Sequence, residues 1–349
     1  MSRELPNQTF PMLASPAMAS KANPVRIGIL GASSYAPTTI LGPAGDVEDV
    51  DVVAVGARDM PSASEFAARH GLPIAHGSYG DLIADPDIDA VYVLVPTSMH
   101  GEWTRAAVDA GKHVLCEKPF TANAAEARAI ADLAVRSDRV VMEAIQFRHH
   151  PLTLRAQEII ASGELGKLRF VDVALCVLIR DASANCYNYS LAGGAMMDAG
   201  SYAVTMLRVF GGSTPEVVSA QAKLRGPDVD RAMTAQVRFG EGHLGRLRCA
   251  LWSSDLVRAS VRVVGERGRL RILSPAAPHL YPRLGVRTAD GRRVERFSRR
   301  ASYVYQLEAF AEAVRRGAPV RTSPEQAVEN MTVIDAIYRA AGLPIRMPS

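Results

Sequence analysis

Over the first 150 residues, short apolar runs alternate with helical stripes. Val25 to Leu30 is a β-branched, nearly continuous apolar run ending at Gly31, the pattern of a strand buried on both faces of a parallel sheet. Val50 to Val55 repeats it and leads through Ala57-Arg58-Asp59 into a helical stretch, Ser62 to His70, stopped by Gly71. Asp81 to Ala84 precedes the breaker Asp85-Pro86-Asp87, Ala90 to Val95 forms another apolar strand, and a helix from Gly101 to Ala110 stops at Gly111. Then come a short strand, His113 to Cys116, a helical stretch from Thr121 to Arg136 with Asn123 as N-cap, and a strand from Val140 to Ala144. Alternation at this spacing predicts an α/β fold with a doubly wound parallel sheet of the Rossmann kind.

After Pro151 the rhythm changes. One helix (Leu152 to Ser162) is followed by candidate strands at Leu168 to Ile179, Glu216 to Leu224, Thr234 to Phe239, Gly245 to Trp252, Ala259 to Val264 and Arg269 to Leu273, with Glu266-Arg267-Gly268 as a hairpin turn. Helical spacing returns from Tyr303 to Arg315 and from Pro324 to Ala341. The pattern predicts a second, α+β domain built on a mainly antiparallel sheet. The expected division is a flexible arm over 1–24, a Rossmann domain over 25–147 and a substrate and oligomerisation domain over 148–349, whose last helix is free to pack back on the Rossmann domain.

Composition adds limits. At 349 residues the chain exceeds the size at which one core usually stops growing. Its 48% hydrophobic and 22% charged residues fit an ordinary globular protein. A net charge of +4, with arginines scattered rather than clustered, argues against a nucleic-acid surface. Cys116, Cys176, Cys186 and Cys249 show no C-x-x-C pair and no zinc-like spacing to histidine, so they are read as reduced thiols of a cytoplasmic protein. No apolar run is long enough to cross a bilayer, and residues 1 to 23 lack the basic and apolar regions of a signal peptide.

The chemistry gathers at strand ends. Gly28-Ile29-Leu30-Gly31-Ala32-Ser33-Ser34 sits at a strand-to-helix junction, where glycine lets backbone approach a pyrophosphate and a helix N-terminus offers open N–H donors. It is not a full G-x-G-x-x-G. After the second strand, Arg58 offers a planar fork for a ribose 2′-phosphate, whereas Asp59 keeps a 2′-hydroxyl reading open, so NADP(H) is preferred and NAD(H) is the alternative. Cys116-Glu117-Lys118-Pro119 follows a strand at the carboxyl edge of the sheet, with a cis Pro119 as one way to aim the lysine. Asp198 and Tyr202 are four apart, and on a helix they share a face. His149-His150 is read as structural or substrate-contacting, not as a metal pair.

These stretches, with Gly77 through Pro96, Ala110 to Pro119, Gly163 to Gly166, Gly193-Gly194 to Asp198, and Gln306-Leu307 with Ala309-Phe310, resemble the glucose-fructose oxidoreductase/inositol dehydrogenase family, in its dihydrodiol-dehydrogenase-like branch. The resemblance implies a Rossmann domain followed by an open-faced sheet used in oligomer contacts, and hence a homodimer or larger homo-oligomer. It also implies nicotinamide chemistry on a sugar, cyclitol, dihydrodiol or related small molecule, with Lys118 catalytic. Pro96, Thr97 and His100 match the family's cofactor loop with Thr97 in place of Asn, although His100 reads equally as a histidine packed under that loop. Glu143, Arg148 and Pro151 match a strand-end segment with a cofactor-proximal arginine, while Gln146 and Arg180 are placed toward substrate. Where many relatives carry histidine, Tyr202 is the tyrosine of the sugar-reductase and dihydrodiol types.

The residues agree on mechanism. An ammonium at Lys118 offsets charge built on a carbonyl oxygen, or if desolvated takes up a hydroxyl proton. Glu117 orients it, Asp198 converges on the substrate, and a phenol at Tyr202 is a natural proton donor. The expected function is an NADP(H)-dependent oxidoreductase. The alternatives are a non-catalytic cofactor-binding sensor and a glycoside-cleaving enzyme that retains its cofactor.

Overall fold

The computed structural model describes residues 24–181, 183–252 and 257–349. The expected flexible arm therefore lies, except for Pro24, outside the described residues. Six strands form a wholly parallel sheet: β1 (Val25–Leu30), β2 (Val50–Gly56), β3 (Ile74–His76), β4 (Ala90–Val93), β5 (His113–Glu117) and β6 (Val141–Ala144). Their order is β3-β2-β1-β4-β5-β6, which puts the topological switch point between β1 and β4. The near-continuous apolar runs have their physical reason here, since every residue of β4 and β6 is buried between helical layers.

Eight further strands form the second sheet: β7 (Leu168–Cys176), β8 (Glu216–Leu224), β9 (Asp230–Arg238), β10 (Leu244–Ala250), β11 (Arg258–Gly265), β12 (Gly268–Leu273), β13 (Arg283–Thr288) and β14 (Gly291–Arg296). The order is β14-β13-β12-β11-β7-β10-β9-β8, antiparallel throughout except where β10 runs parallel to β7. Strands β13 and β14, like the short β3 of the first sheet, are additions to the sequence reading. Apart from Leu284 and Val286, the residues of β13 and β14 are mostly arginine, glycine and other polar types, because β14 is the sheet edge and gains its order from backbone pairing.

Local signals set the helices. Asp59 caps Met60–His70 by accepting from Ser62 N at 2.8 Å, and Asn123 caps Ala124–Arg136 by accepting from Glu126 N at 3.0 Å. The helix Ala195–Gly211 is apolar nearly all round because it is sandwiched between the eight-stranded sheet and the helix Pro324–Ala340. The helix Ser302–Arg316 returns to the parallel sheet, where Val304, Leu307, Phe310 and Ala311 join the core of Ile27 and Ile29 and Arg315 pairs with Asp49. The helix Pro324–Ala340 packs on Ala124–Arg136.

Among the described residues no helix is long and apolar enough to cross a membrane, and no three His, Cys, Asp or Glu side chains are grouped to hold a metal ion. His149 is enclosed instead, and burial, with Arg148 and Arg321 nearby, pushes its ring down to about 3.

Candidate active site

Strand β5 ends on Glu117, and the Lys118-Pro119 peptide that follows is cis. Lys118 Nζ donates to Asp198 Oδ1 at 2.8 Å and to the Asp198 carbonyl at 3.1 Å. Asp198 stands in the first turn of Ala195–Gly211 and Tyr202 one turn later, so both face the lysine, whose Nζ is 5.0 Å from the Tyr202 ring centroid. The Tyr202 hydroxyl donates to Gln146 Oε1 at 3.0 Å, and Gln146 Nε2 donates to the Ala276 carbonyl at 3.1 Å. Both ends of Gln146 are thus engaged, and its side chain orients the phenol.

Electrostatics follow from burial. Desolvation alone lowers the Lys118 ammonium, but the carboxylate of Asp198, with Glu117 and Tyr303 behind it, outweighs that cost and holds the group above the ordinary lysine value. The expected orienting role therefore falls to Asp198. Glu117 fixes the turn itself, accepting from the Tyr92 hydroxyl and, at 3.1 Å, from Lys118 N, and its burial pushes the carboxyl up. Burial first, then the charge of Glu117, raises the Tyr202 phenol strongly.

Sequence reasoning missed Tyr303. It lies close enough to Tyr202 and Glu117 for both to act on it, and burial first, then Tyr202 and Glu117, raises its phenol as well. The helical stripe located the helix, but only its return to the parallel sheet brings the first turn to the site.

On the cofactor side, Gly28 lies inside β1, where a Cβ would come within 2.7 Å of Leu82 Cδ2. This corrects its reading as a phosphate glycine: it sits within the strand, packed under Leu82 of the helix Tyr79–Ala84, and not in the turn. The turn is Gly31 to Ala36. Gly31 has φ +113°, and a Cβ there would meet the Leu94 carbonyl oxygen at 2.5 Å. Ser33 stands where the fingerprint has its second glycine, and Ala36 is fully buried where the third position needs a small residue. Ser33 N donates to Gly31 O and Ser33 Oγ accepts from Tyr35 N, which leaves the exposed Ala32 and Ser34 without an intramolecular acceptor for their N–H groups among the described residues.

Arg58 is exposed beside this turn, whereas the Asp59 carboxylate is occupied as a helix cap. Pro96 and Thr97 are half-buried at the start of the 3₁₀ turn Thr97–Met99. His100 is enclosed, with Nδ1 2.8 Å from the Pro119 carbonyl and Nε2 2.9 Å from that of Val95. Burial lowers its pKa against the opposing pull of those carbonyls. It offers no ring nitrogen to a ligand, and the structure corrects the cofactor reading of His100 to that of a brace between the two turns. Arg148 is mostly buried with Nε unpartnered among the described residues. Desolvation, then Arg208 and Arg321, push it down to about 10. Arg180 is exposed, and neither Lys118, Asp198 nor Tyr202 bonds to it among the described residues. Cys186 is half-buried close enough to Asp198 and Lys118 to feel both charges, and burial, followed by Asp198, pushes its thiol up to about 11.

Comparison with known proteins places this geometry. A family model described as the oxidoreductase family with NAD-binding Rossmann fold matches residues 25–145, and one described as the GFO/IDH/MocA C-terminal domain matches 153–271. D-xylose 1-dehydrogenase (NADP(+)) 2 of Haloferax volcanii is 36% identical over 316 residues, 90% of this chain and 96% of its own. Trans-1,2-dihydrobenzene-1,2-diol dehydrogenase of Bos taurus is 35% identical over 64% of this chain and 66% of its own. The fold superposes with a TM-score of 0.83 on a 3-ketoreductase from Actinomadura kijaniata in complex with NADP and TDP-benzene, at 26% identity over 91% of this chain and 98% of that one. A parallel sheet with its lysine turn at the carboxyl edge, a facing Asp-x-x-x-Tyr helix and relatives across nine-tenths of the length together make this chain an oxidoreductase of the GFO/IDH/MocA family.

Proposed function

We propose that the protein is an NADP(H)-dependent oxidoreductase that interconverts a hydroxyl and a carbonyl group on a sugar, an aldose being favoured over a cyclitol or dihydrodiol. The observation that carries this reading is the Lys118–Asp198–Tyr202 constellation at the carboxyl edge of the parallel sheet, where β5 ends. The aldose preference rests on the xylose dehydrogenase relative, which spans far more of the chain than the dihydrodiol one.

The residues present fit a dinucleotide. The Ala32 and Ser34 N–H groups and Ser33 would hold its pyrophosphate, Arg58 a 2′-phosphate, Pro96 and Thr97 the nicotinamide ribose, and Arg148 with its unpartnered Nε a polar group of the cofactor. The relatives described with NADP support the phosphorylated form, and so does the engagement of Asp59 as a cap. When bound, nicotinamide donates or accepts the hydride. The chain's own residues manage the charge and the proton at the substrate oxygen. Lys118, held as an ammonium, stabilises negative charge there, and the Tyr202 phenol delivers the proton during reduction and receives it during oxidation. Gln146 holds the phenol in place, with Tyr303 close by, and Asp198 holds the lysine until substrate enters.

Initial rates with NADP⁺ and NAD⁺ across a panel of aldoses that includes D-xylose, with NADPH binding read by fluorescence, test the reading. Lys118→Ala is expected to lower turnover by about 10²–10³-fold, the range for removing one preorganised donor, while NADPH binding persists. Full activity in that variant overturns the assignment.

A further inference from the structure

The helix that carries Asp198 and Tyr202 begins at an N-cap, Gly194, that has no side chain to satisfy the free N–H groups of its first turn. A distant carboxylate does so instead: Asp230, wholly buried at the start of β9, accepts from Met196 N at 2.7 Å through Oδ2. Asp230 Oδ1 accepts from the Tyr338 hydroxyl at 2.9 Å and from Arg346 Nη2 at 3.0 Å. Arg346 is 0% exposed and has its whole fork engaged, Nε donating to the Gly193 carbonyl at 2.7 Å, Nη2 also to the Asp228 carbonyl and Nη1 to that of Pro344, each at 3.0 Å. Its guanidinium lies over the rings of Tyr338 and Tyr189 at 4.3 and 4.9 Å.

The Gly193-Gly194 pair has its reason here. Gly194 has φ +136°, and a Cβ on it would approach Asp230 Oδ1 to 2.2 Å and Arg346 Nη2 to 2.9 Å. A Cβ on Gly193 would strike the carbonyls of Asn188, Cys186 and Asn185 in the substrate-side loop. The Gly194 carbonyl in turn accepts from Asp198 N at 3.0 Å, so the arginine and the lysine's partner are two hydrogen-bonded steps apart along one turn.

The segment around Arg346 also reaches the cofactor side. The Arg346 carbonyl accepts from Asn123 Nδ2 at 2.9 Å, and three residues on, Ser349 N donates to the Ser98 carbonyl at 3.0 Å within the Thr97–Met99 turn. One short strap therefore ties the proposed nicotinamide loop to the start of the catalytic helix.

Resting on the function proposed above, we infer that Arg346 is a positioning residue. Paired with Asp230, it sets the Gly193-Gly194 turn and thereby the placement of Asp198 and Tyr202 against Lys118. Replacement by a smaller polar group leaves the buried Asp230 charge without its cation and the Gly193 carbonyl without its donor, so the turn loses its anchor.

The experiment uses Arg346→Gln, Arg346→Lys and, should the first fail to fold, Asp230→Asn combined with Arg346→Gln, which removes both charges together. Amide hydrogen exchange over residues 194–198 is read in NADPH-saturated protein, alongside kcat and KM for D-xylose or whichever aldose the wild type turns over. Arg346→Gln or the double variant is expected to speed exchange at 194–198 at least tenfold and to lower kcat at least tenfold. Exchange in β4 and β5 and the KM for NADP⁺ should stay within twofold, and Arg346→Lys should recover part of both effects. Val263→Ala, chosen as a core truncation in β11 with a comparable drop in Tm, should keep kcat within twofold. Exchange at 194–198 unchanged in the variants, or a kcat loss matched by Val263→Ala, overturns the inference. Faster exchange with no aldose turned over by the wild type leaves the strap standing and removes the functional reading.

Discussion

In the six-stranded sheet, β4 and β6 are buried at every residue, whereas in the eight-stranded sheet β9 and β12 alternate, with Met233, Ala235, Val237, Leu270 and Ile272 inward and Thr234, Gln236, Arg238, Arg269 and Arg271 outward. The first sheet is covered by helices on both faces, and the second only on the face that receives Ala195–Gly211. The division of labour at the site follows. The parallel sheet delivers backbone turns at strand ends, those of Gly31, Thr97, Lys118 and Gln146, while the antiparallel side delivers one rigid helix with its side chains in register. Function is assembled where two differently built layers meet.

That contrast can be broken most forcefully by core truncation. Ile29→Ala in β1 and Leu270→Ala in β12, both fully buried, should each cost about 3 kcal/mol, within the range for large-to-small core changes. Arg271→Ala, one residue from Leu270 but on the outer face, should cost less than about 0.5 kcal/mol. Urea denaturation measures all three, and a large loss for Arg271→Ala would mean that the outer face is covered.

Next in size, Arg58→Ala should raise KM for NADP⁺ about tenfold or more, a loss of roughly 1.4 kcal/mol or greater, and leave KM for NAD⁺ nearly unchanged. Asp59→Ala should instead destabilise the helix it caps by about 1 kcal/mol with the cofactor preference intact. Equal effects of Arg58→Ala on both cofactors would argue that its charge does not read the 2′-phosphate.

A smaller effect concerns acid. Burial pushes Glu143, in β6, up to about 7, so its contribution to stability is present below its unfolded value near 4.5 and is lost as pH rises through 7. Burial pushes His149 and His150 down to about 3 and about 4, so their contributions are present above their unfolded value near 6.5 and are lost as pH falls. Between pH 4.5 and 6.5 the two slopes oppose each other. Glu143→Gln removes the compensating one and should make the urea midpoint fall more steeply on acidification from pH 6.5, and an unchanged pH profile would show that Glu143 ionises normally in the fold.

Much of this was legible beforehand. Continuous runs and helix stops located β1, β2, β5 and the capped helices, because burial on both faces and terminal N–H groups leave local marks in sequence. The Glu117-Lys118-Pro119 turn was legible from its place after a short apolar strand together with the family resemblance, and Asp198 and Tyr202 from their four-residue spacing. Strands β13 and β14 were not: β14, the sheet edge, is rich in arginine, and in β13 two apolar residues, Leu284 and Val286, among arginine and glycine are too short a stripe to mark a strand.

The amino-acid order by itself determined the alternation of elements, the family resemblance and the lysine and tyrosine of the site. Only tertiary structure decided that Asp198, not Glu117, holds the Lys118 ammonium, that His100 and Gly28 serve packing, that Tyr303 lies beside Tyr202, and that Arg346 sits beneath the start of the helix Ala195–Gly211. Each of these depends on partners far apart along the chain, and no periodicity records which distant groups meet once the core has excluded water.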